Sequence, residues 1–392
     1  ARFSGCALRP ITRHALINIS SIAQHPLEDI VEQAEAEALF QTCLAKTGPI
    51  LCLDIGTGTQ DVLLALPGVC VENWPKFVLP SPACRIEQEL VRLGQEGRDV
   101  WLCGQNMGGG FAEAARDLIK KGHKVAATSE AATALHNDPE RVRGMGIEIA
   151  ETCPAGFVPL SLGDFDLSLW QTLLAAHHLP SPNLVLCAVQ DHGFQGKGSG
   201  NRRVRMARYA SLLEQNPDPV SWLFDVPPSE MTRMYAVHLA SGGPVADTAT
   251  AVLLGAMLDP VFLKRSFREG VTFVNVGNGH IFAALVYKGL VRGIYEHHTS
   301  MRTRDELLAD LGEFRRGFLP CDVVQQGGGH GTAYGPVCEE ASYVPTFICG
   351  PGRAMLSGCG QFIAPFGSMM LAGSMGLLWA FCARMEQGLS AQ

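Results

Sequence analysis

The sequence predicts a two-domain α/β protein in which one structural plan occurs twice. Its 392 residues, 47% of them hydrophobic, exceed what a single compact core usually holds. Residues 50–80 and 271–297 each contain three apolar segments joined by short turns, a pattern typical of antiparallel strands. In both, the first segment ends in a polar residue and a glycine loop, as in LCLDIGTG and FVNVGNG. We interpret this recurrence as an internal duplication.

Composition excludes several classes of protein. The net charge of −7 and the pI of about 6.0 provide no basic surface for nucleic acid or for an acidic membrane. The 13 cysteines are scattered singly without a CxxC pair, which indicates reduced, mostly buried thiols rather than disulfides. We therefore expect a soluble, cytoplasmic protein with no nucleic-acid or membrane partner.

The N-terminal residues 1–48 are predicted to form a helical appendage. Residues 27–46 have a helix-forming composition, with acidic residues near the start and apolar residues at helical spacing. Residues 1–26 carry three arginines and no acidic residue. This composition fits a transit peptide and fits equally well the start of a fragment.

The first domain is predicted over residues 49–203. It begins with the three-strand meander, continues with a strand–helix–strand unit, and contains a further strand that ends at Asp191. The predicted segments are 50–55, 61–66, 72–80, 99–104, 106–122 and 123–129.

Residues 204–270 are predicted to form a largely helical connecting region. The segment 247–258 is expected to be a helix with Asp247 as its N-cap. The chain has one basic cluster near the start of this region, which we interpret as the solvated beginning of a helix. An alternative is a clamp for an anionic substrate or for the carboxylates of a partner. The cluster contains Lys197, Arg202, Arg203, Arg205 and Arg208.

The second domain is predicted over residues 271–392. The uncharged stretch 354–383 is long enough to span a bilayer, but its glycines, serines and proline favour a buried, glycine-packed helical hairpin. The strands of the second meander are predicted at 271–276, 281–286 and 290–297. Two further apolar strands, each ending in a glycine turn, are predicted within 322–331 and 346–356.

The loop DIGTGT after the first strand is suited to a phosphate group. Glycines allow several backbone N–H groups to turn inward and leave no Cβ to keep a ligand away. Asp54 would repel the phosphate unless a divalent cation lay between them, and Mg²⁺ binds water, one or two carboxylates and phosphate oxygens. Such a turn also occurs in ordinary hairpins, but its recurrence at NVGNGH (275–280) favours a polyphosphate held between two loops.

Three motifs resemble the nucleotide-binding loops of the actin, sugar kinase and Hsp70 ATPase superfamily. DIGTGTQD is similar to its first phosphate loop, NVGNGH to its second, and CGPGRAM (349–355) to its adenosine loop. The resemblance covers roughly residues 49–385. It implies two ribonuclease H-like domains that close on Mg-ATP in an inter-domain cleft.

The resemblance also implies roles for individual residues. Asp54 would hold Mg²⁺ through water and act in catalysis, and Asp191 would orient or deprotonate the attacking water or hydroxyl. The nucleotide would be bound by Gly56, Gly58, Thr59, Asn275, Gly277, Gly279, His280, Gly350, Gly352 and Arg353.

Two positions depart from the superfamily pattern. Asn275 stands where an aspartate is usual, and His280 stands where a threonine is usual. Loss of a carboxylate weakens the hold on the cation and removes a group that orients water. We therefore expect nucleotide binding to be retained better than rapid hydrolysis.

The combination of DIGTGTQD, FVLPSP, QDHGF, NVGNGH, EHHT and GPGRAM resembles an uncharacterised family labelled as pyruvate formate-lyase activating proteins. Such activases are radical enzymes whose iron–sulfur cluster requires three thiolates in a CxxxCxxC run. No such spacing occurs in this chain, and Pro10 stands where a second cysteine would follow Cys6. Cys6 alone cannot hold the cluster, so we reject radical chemistry unless a longer chain supplies the remaining cysteines.

Five histidines lie in or beside polar loops that the duplicated fold could bring together: His192, His280, His297, His298 and His330. Together with Asp191 and Glu296 they offer imidazole and carboxylate ligands suited to Zn, Mn or Fe. The alternative metal site consists of Asp191, His192, His280 and His330. The competing interpretation is that these are loop histidines that donate to carbonyl groups or contact a bound phosphate.

These observations leave three functional hypotheses. The first is Mg-ATP binding with slow hydrolysis or phosphoryl transfer, coupled to domain closure, to a small-molecule or protein acceptor that the sequence does not name. The second is a metal-dependent enzyme that uses the Asp and His loop residues. The third is a nucleotide-gated binding module without turnover, for which Asn275 is an argument. A homo-oligomer is compatible with all three.

Overall fold

The structure, a computed structural model, describes residues 33–194, 201–336 and 338–388. The arginine-containing segment 1–26, with Cys6 and Pro10, lies outside these residues, and so does Lys197.

The described residues form strands and helices with the following bounds. The strands are β1 (Ile50–Ile55), β2 (Thr59–Ala65), β3 (Lys76–Pro80), β4 (Val100–Gly104), β5 (Val125–Ala127), β6 (Ile147–Ile149), β7 (Val158–Leu162), β8 (Leu184–Val189), β9 (Val245–Ala246), β10 (Val271–Val276), β11 (His280–Tyr287), β12 (Leu290–His298), β13 (Gly331–Tyr334), β14 (Thr346–Cys349) and β15 (Gln361–Phe362). The helices are α1 (Gln33–Thr47), α2 (Pro82–Gln95), α3 (Ala112–Lys120), α4 (Ser129–Ala132), α5 (Pro139–Gly144), α6 (Leu167–Ala176), α7 (Asn201–Gln215), α8 (Thr232–Ser241), α9 (Thr248–Ala256), α10 (Pro260–Glu269), α11 (Arg304–Arg315), α12 (Cys321–Gln326) and α13 (Ala372–Glu386).

The first sheet has the strand order β3-β2-β1-β8-β9. β1, β2 and β3 form an antiparallel meander, and β8 and β9 extend the sheet in parallel on the other side of β1. β1 is buried along nearly all of its length, which explains its continuous apolar sequence. This order and these directions are those of a ribonuclease H-like domain, and the predicted meander is confirmed.

The second sheet repeats this arrangement. Its order is β13-β12-β11-β10-β14-β15, so that β10, β11 and β12 correspond to the first meander and β14 and β15 to its parallel strands. β13 is an additional antiparallel strand at the edge. The predicted fold class, a duplicated α/β architecture of the actin-like ATPase type, is therefore confirmed.

A third sheet lies between β3 and β8 along the chain. It is parallel throughout, with the order β6-β5-β4-β7, and its strands alternate with short helices. Its own apolar core includes Leu102, Phe111 and Val142. The predicted strand–helix–strand unit is confirmed as part of this insertion.

Helices α9 and α13 pack closely against each other in the central core. A Cβ added at Gly255 of α9 would overlap the carbonyl oxygen of Ala372, and one added at Gly376 of α13 would lie 2.5 Å from the backbone nitrogen of Gly255. Ser374 Oγ donates to the carbonyl oxygen of Asp61 at 2.7 Å. α13 follows the second sheet along the chain and yet docks on the first, so it links the two halves.

Two predictions for the second half were wrong. Residues 321–326 form the helix α12 rather than a strand, with Pro320 as its N-cap and Val324 as its buried residue. Two adjacent valines are too short an apolar run to specify a strand. The stretch 354–383 contains short 3₁₀ turns and one buried helix, α13, rather than a hairpin of two helices. None of the helices in the described residues combines the length and apolarity needed to cross a membrane.

The domain boundaries remain a prediction. The first sheet takes its last strand, β9, from the segment assigned to the connecting region. In the segment assigned to the N-terminal appendage, Phe40 and Leu44 of α1 are fully buried in the central core.

Candidate functional site

Two hairpin loops face each other across the cleft between the two large sheets. The first, 56–59, leads from β1 into β2, and the second, 277–280, leads from β10 into β11. In each, the N–H of the first glycine donates to the carbonyl oxygen of the last residue, Thr59 or His280, at 2.9 Å. The duplication therefore extends to these loops, and His280 occupies the position that Thr59 has in the first half.

The two loops are in contact. A Cβ at Gly279 would lie 2.7 Å from Oγ1 of Thr57, so that only glycine permits this approach without a shift. A Cβ at Gly58 would lie 3.5 Å from Nδ2 of Asn278, an ordinary van der Waals distance.

A cavity of about 120 Å³ lies between these loops. Most of the predicted nucleotide-binding residues line it, although they come from distant parts of the chain. The predicted nucleotide-binding residues that line it are Gly56, Thr59, Asn275, Gly277, Gly279, His280 and Gly350. Asp54, predicted to hold Mg²⁺, lines it as well.

Gly58, Gly352 and Arg353 do not line this cavity. Gly352 N donates to the carbonyl oxygen of Val276 at 2.8 Å. Arg353 Nη1 donates to the carbonyl oxygen of Gly350 at 3.2 Å, and its guanidinium lies 5.8 Å from the ring centroid of Phe362. Both residues thus attach the Gly350 turn to its surroundings.

The first residues of two helices also border the cavity. Thr248 and Ala249 begin α9, and Gly373 lies in the first turn of α13. The N-terminus of a helix carries partial positive charge and unpaired N–H groups, which favour an anion. The two helix starts and the two glycine loops therefore favour negative charge at the same place.

Two carboxyl groups in the cavity have oxygen atoms without a hydrogen-bond partner. These buried atoms are Oδ1 of Asp54 and Oδ1 of Asp61. Burial, with the nearby Asp61 and Asp247, raises the pKa of Asp54 well above its usual value. Burial likewise raises the pKa of Asp61 to about 7. A Cβ at Gly373 would overlap Oδ2 of Asp54, so glycine is required where α13 begins.

A larger cavity of about 310 Å³ lies between the first sheet and the inserted sheet. It shares several wall residues with the smaller cavity, among them Gly56, Gln190, Arg233 and His280. Arg233 forms a two-point ion pair with Asp164, from Nε to Oδ2 at 2.7 Å and from Nη2 to Oδ1 at 2.9 Å. The two cavities are therefore neighbours with a polar common wall.

Asp191 lines the larger cavity, but its carboxylate is engaged by its own surroundings. Oδ1 accepts from Gly193 N at 2.6 Å, and Oδ2 accepts from Met234 N in α8 at 2.8 Å. Burial raises the pKa of Asp191. The residue thus fixes the start of α8 and the turn after β8, and it lies beside the volume where an acceptor would bind.

Arg205 is the centre of a buried ion cluster. Its side chain is 3% exposed and binds Asp247 and Glu296, with Nη1 2.6 Å from Asp247 Oδ2 and Nε 2.5 Å from Glu296 Oε2. Although burial opposes its charge, Arg205 and His330 hold the pKa of Glu296 well below its usual value. The prediction that the basic cluster is a solvated helix start was wrong for this residue, because Arg202 and Arg203 are exposed but Arg205 points into the core.

Three histidines converge beside the second glycine loop. His280, His298 and His330 each offer a ring nitrogen, and these atoms all lie within 4.8 Å of one another. His192 approaches the group, with its ring centroid 4.9 Å from that of His330. His297 points elsewhere, since its Nδ1 is 3.3 Å from the carbonyl oxygen of His298.

Of the predicted alternative metal site, His280 and His330 are brought together, whereas both carboxylate oxygens of Asp191 bind backbone N–H groups.

The sequence predictions gave no role to several residues of the site. Asp61 could have been predicted as a site residue from the sequence. A short loop in an antiparallel hairpin fixes the strand register, and this register places Asp61 opposite Asp54. Arg233 and Asp164 had no such local signal, since they lie 69 residues apart along the chain. Arg205 was predicted only as part of the basic cluster, because its ion-pair partners lie 42 and 91 residues away.

One protein-family model matches this chain. A model described as "Putative pyruvate format-lyase activating enzyme (DUF1786)" matches residues 107–355. Among curated proteins, no significant match was found.

Solved structures with similarity to the chain include two from bacteria. One is an inorganic polyphosphate/ATP-glucomannokinase from Arthrobacter sp. strain KM, with 13% sequence identity, a TM-score of 0.30, and coverage of 86% of this chain and 99% of the other. The second is the ethanolamine utilization protein EutJ from Carboxydothermus hydrogenoformans, with 10% identity, a TM-score of 0.28, and coverage of 89% and 99%.

Proposed function

The chain belongs to the family described as pyruvate formate-lyase activating enzymes, as its motifs predict, and we propose that its activity is nucleotide-dependent rather than radical. It binds Mg-ATP between its two actin-like ATPase domains and either hydrolyses it slowly or transfers its terminal phosphoryl group. Among the described residues the only group of three potential metal-ligating side chains within ligand distance consists of histidines. No described cysteine cluster therefore supports an iron–sulfur centre.

The observation that carries this proposal is the pair of opposed glycine loops with an unpaired buried carboxylate between them. The loops 56–59 and 277–280 supply backbone N–H groups from both domains, and the starts of α9 and α13 add their partial positive charge. A polyphosphate is a ligand long enough to engage both loops at once. Contact with both domains would couple its binding to their closure.

The residues present also fit a magnesium ion. Asp54 and Asp61 offer unpartnered carboxylate oxygens in the same cavity, and Mg²⁺ prefers carboxylate, water and phosphate oxygens. Burial raises the pKa of both groups, and a bound cation would favour their charged form. When bound, the ion would neutralise charge on the phosphates, while Asp54 holds it through water and the glycine loops orient the phosphate chain.

The larger cavity is the proposed place of the phosphoryl acceptor. It adjoins the phosphate loops through Gly56 and is lined by Asp191, Asp164 and Arg233. A small polar molecule bound there would lie next to the terminal phosphate, with Asp191 as the candidate group that orients its hydroxyl. Water in the same place would give the slow hydrolysis.

Calorimetric titration of metal-free protein with Mg-ATP tests the proposal. The Asp54→Ala variant is expected to raise the Kd by roughly 10- to 150-fold, the equivalent of the 1.5–3 kcal/mol that contacts to charged groups contribute. Asp117→Ala, at an exposed helix position, is the matched control and should bind as the wild type does. Absence of Mg-ATP binding in the wild type, or an unchanged Kd in Asp54→Ala, would contradict the proposed site.

A binding module without turnover is the second candidate, because Asn275, in β10 just before the second loop, stands where the superfamily pattern usually has an aspartate. Phosphate release measured on the same samples separates the two. Release above background that requires Asp54 supports an ATPase or phosphotransferase, and tight binding without release supports the module.

A further inference from the structure

His280, His298 and His330 lie at one end of the second sheet because of its strand pairing. His280 begins β11 and His298 ends β12, and the two are direct cross-strand partners. His330 precedes β13, and its N–H donates to the carbonyl oxygen of Glu296 in β12 at 3.0 Å. Three adjacent strands therefore present one imidazole each at the same edge, on backbone held by the sheet ladder.

The three rings form a compact triangle. Their centroids are 4.6 Å apart for His280 and His298, and 5.0 Å apart for each of these with His330. Nε2 of His280 is buried and has no hydrogen-bond partner. A buried ring nitrogen without a partner is costly unless something else binds it.

The charges around the triangle favour a cation. The buried cluster behind it contains one positive group, Arg205, and two negative ones, Asp247 and Glu296, which leaves one negative charge in excess. Oε2 of Glu296 lies 3.1 Å from Nδ1 of His330. A carboxylate against the outer nitrogen of a histidine is the arrangement that orients metal-bound imidazoles.

We propose that His280, His298 and His330 bind one divalent transition-metal ion, with Zn²⁺ as the best-suited ion. Three imidazoles and an open fourth position are a typical zinc arrangement at reactive sites, whereas Mg²⁺ prefers oxygen ligands. The ring nitrogens lie within 4.8 Å of one another, and small rotations of the half-buried His280 and His298 would bring all three to one ion. This site is separate from the proposed Mg²⁺ position at Asp54 and does not depend on nucleotide.

The position of the site indicates what the ion would do. His280 lines both cavities and directly follows Gly279 of the second loop. An ion held there would lie at the wall that the two cavities share. An oxygen atom of the nucleotide in the smaller cavity, or of the acceptor in the larger one, could complete its coordination. It would polarise that oxygen as a Lewis acid, in the cavity assigned above to the acceptor.

Titration of the chelator-treated full chain with Co²⁺, in the absence of nucleotide, tests the inference. We expect one Co²⁺ per chain, visible absorption typical of a low-coordinate nitrogen site, and displacement by one equivalent of Zn²⁺. His280→Asn and His298→Asn should each weaken binding by at least roughly 100-fold. His177→Ala, an exposed histidine on the first domain, is the control and should leave the titration unchanged.

Histidine modification provides a second measurement that needs no variant. Diethyl pyrocarbonate should label the half-buried His298 in the metal-free protein, and Zn²⁺ should protect it while the exposed His177 stays reactive. The inference is overturned if the wild type binds no Co²⁺, if folded His280→Asn and His298→Asn bind it as the wild type does, or if Zn²⁺ gives no protection. Because neither measurement uses nucleotide, their failure would leave the proposed nucleotide site untouched.

Discussion

Asp54 and Asp61 face each other across the β1–β2 ladder at the floor of the smaller cavity. They are direct cross-strand partners, and such pairs bring Cβ atoms within about 5.5 Å. Two buried carboxyl groups at that distance cannot both ionise cheaply, so the pair retains protons that a bound cation would displace. At the scale of single residues, the cavity is thus built for an ion that balances these acids.

The stability of the ligand-free protein should therefore fall as the pH rises from about 4 to about 7. The pKa of Asp61 is about 7 in the folded chain and near 3.8 when unfolded, so the folded state holds the extra proton in this range. At about 1.4 kcal/mol per pKa unit the loss attributable to Asp61 is on the order of 4 kcal/mol. Urea denaturation at pH 4 to 8 in magnesium-free buffer measures it.

Asp61→Asn should remove the Asp61 share of this dependence, so that the slope becomes smaller, and should raise the free energy of unfolding at pH 7 and above. The exposed Asp305→Asn should keep the wild-type slope. Equal slopes in the wild type and Asp61→Asn would show that this carboxyl group does not hold the extra proton.

At the scale of elements, the crossing of α9 and α13 sets the distance between the two halves. Gly255 and Gly376 lie where the helix backbones meet, and every residue from Ala372 to Ala383 is buried. The absence of a side chain at this crossing lets two apolar helices approach each other and lets their N-termini border the same cavity. The glycines of this stretch thus serve packing between helices rather than a turn.

Gly376→Ala is expected to lower the free energy of unfolding by about 1–3 kcal/mol, because the new Cβ would overlap the carbonyl oxygen of Ala251. Gly312→Ala in α11 is the matched control. A Cβ there meets no atom within 4 Å, and alanine is favoured over glycine in a helix by about 1 kcal/mol. Thermal and urea denaturation should show a lower free energy of unfolding for Gly376→Ala and a higher one for Gly312→Ala. An unchanged free energy of unfolding in Gly376→Ala would show that the two helices are farther apart at this crossing than described.

At the scale of the whole molecule, the Arg205 cluster joins the two halves behind the cavities. Arg205 lies on α7, Asp247 caps α9 after the first sheet, and Glu296 lies on β12 of the second sheet. Gln190 Nε2, at the end of β8, also donates to Glu296 Oε1 at 2.9 Å. The cluster therefore fixes the first sheet, the connecting helices and the second sheet relative to one another.

Arg205→Ala is expected to destabilise the protein by about 3–5 kcal/mol, since it leaves Asp247 and Glu296 buried without their positive partner. Arg203→Ala, exposed on the same helix, should change the free energy of unfolding by no more than about 0.5 kcal/mol. Urea denaturation of the two variants checks this. Similar small effects in both would mean that the buried charges find other partners.

The sequence by itself determined the duplicated fold, both meanders and the two glycine loops. These features depend on local pattern: apolar runs define buried strands, and glycines mark the tight turns between them. The sequence could also assign three residues to one cavity: Asp54, Asn275 and Gly350. In a duplicated fold, the loops that follow corresponding strands lie at corresponding edges of the two sheets. The two adjacent valines of α12, Val323 and Val324, do not distinguish a helix from a strand, so the sequence predicts a strand where α12 lies.

Only the tertiary structure decided which polar side chains meet. The grouping of His298 with His280 and His330 follows from the pairing of β11, β12 and β13, and the burial of Arg205 follows from where α7 docks. Arg205 and its exposed neighbours Arg202 and Arg203 look alike in sequence, and only the packing of α7 separates them. Local periodicity specifies elements, whereas partners that lie far apart along the chain are chosen by how those elements pack.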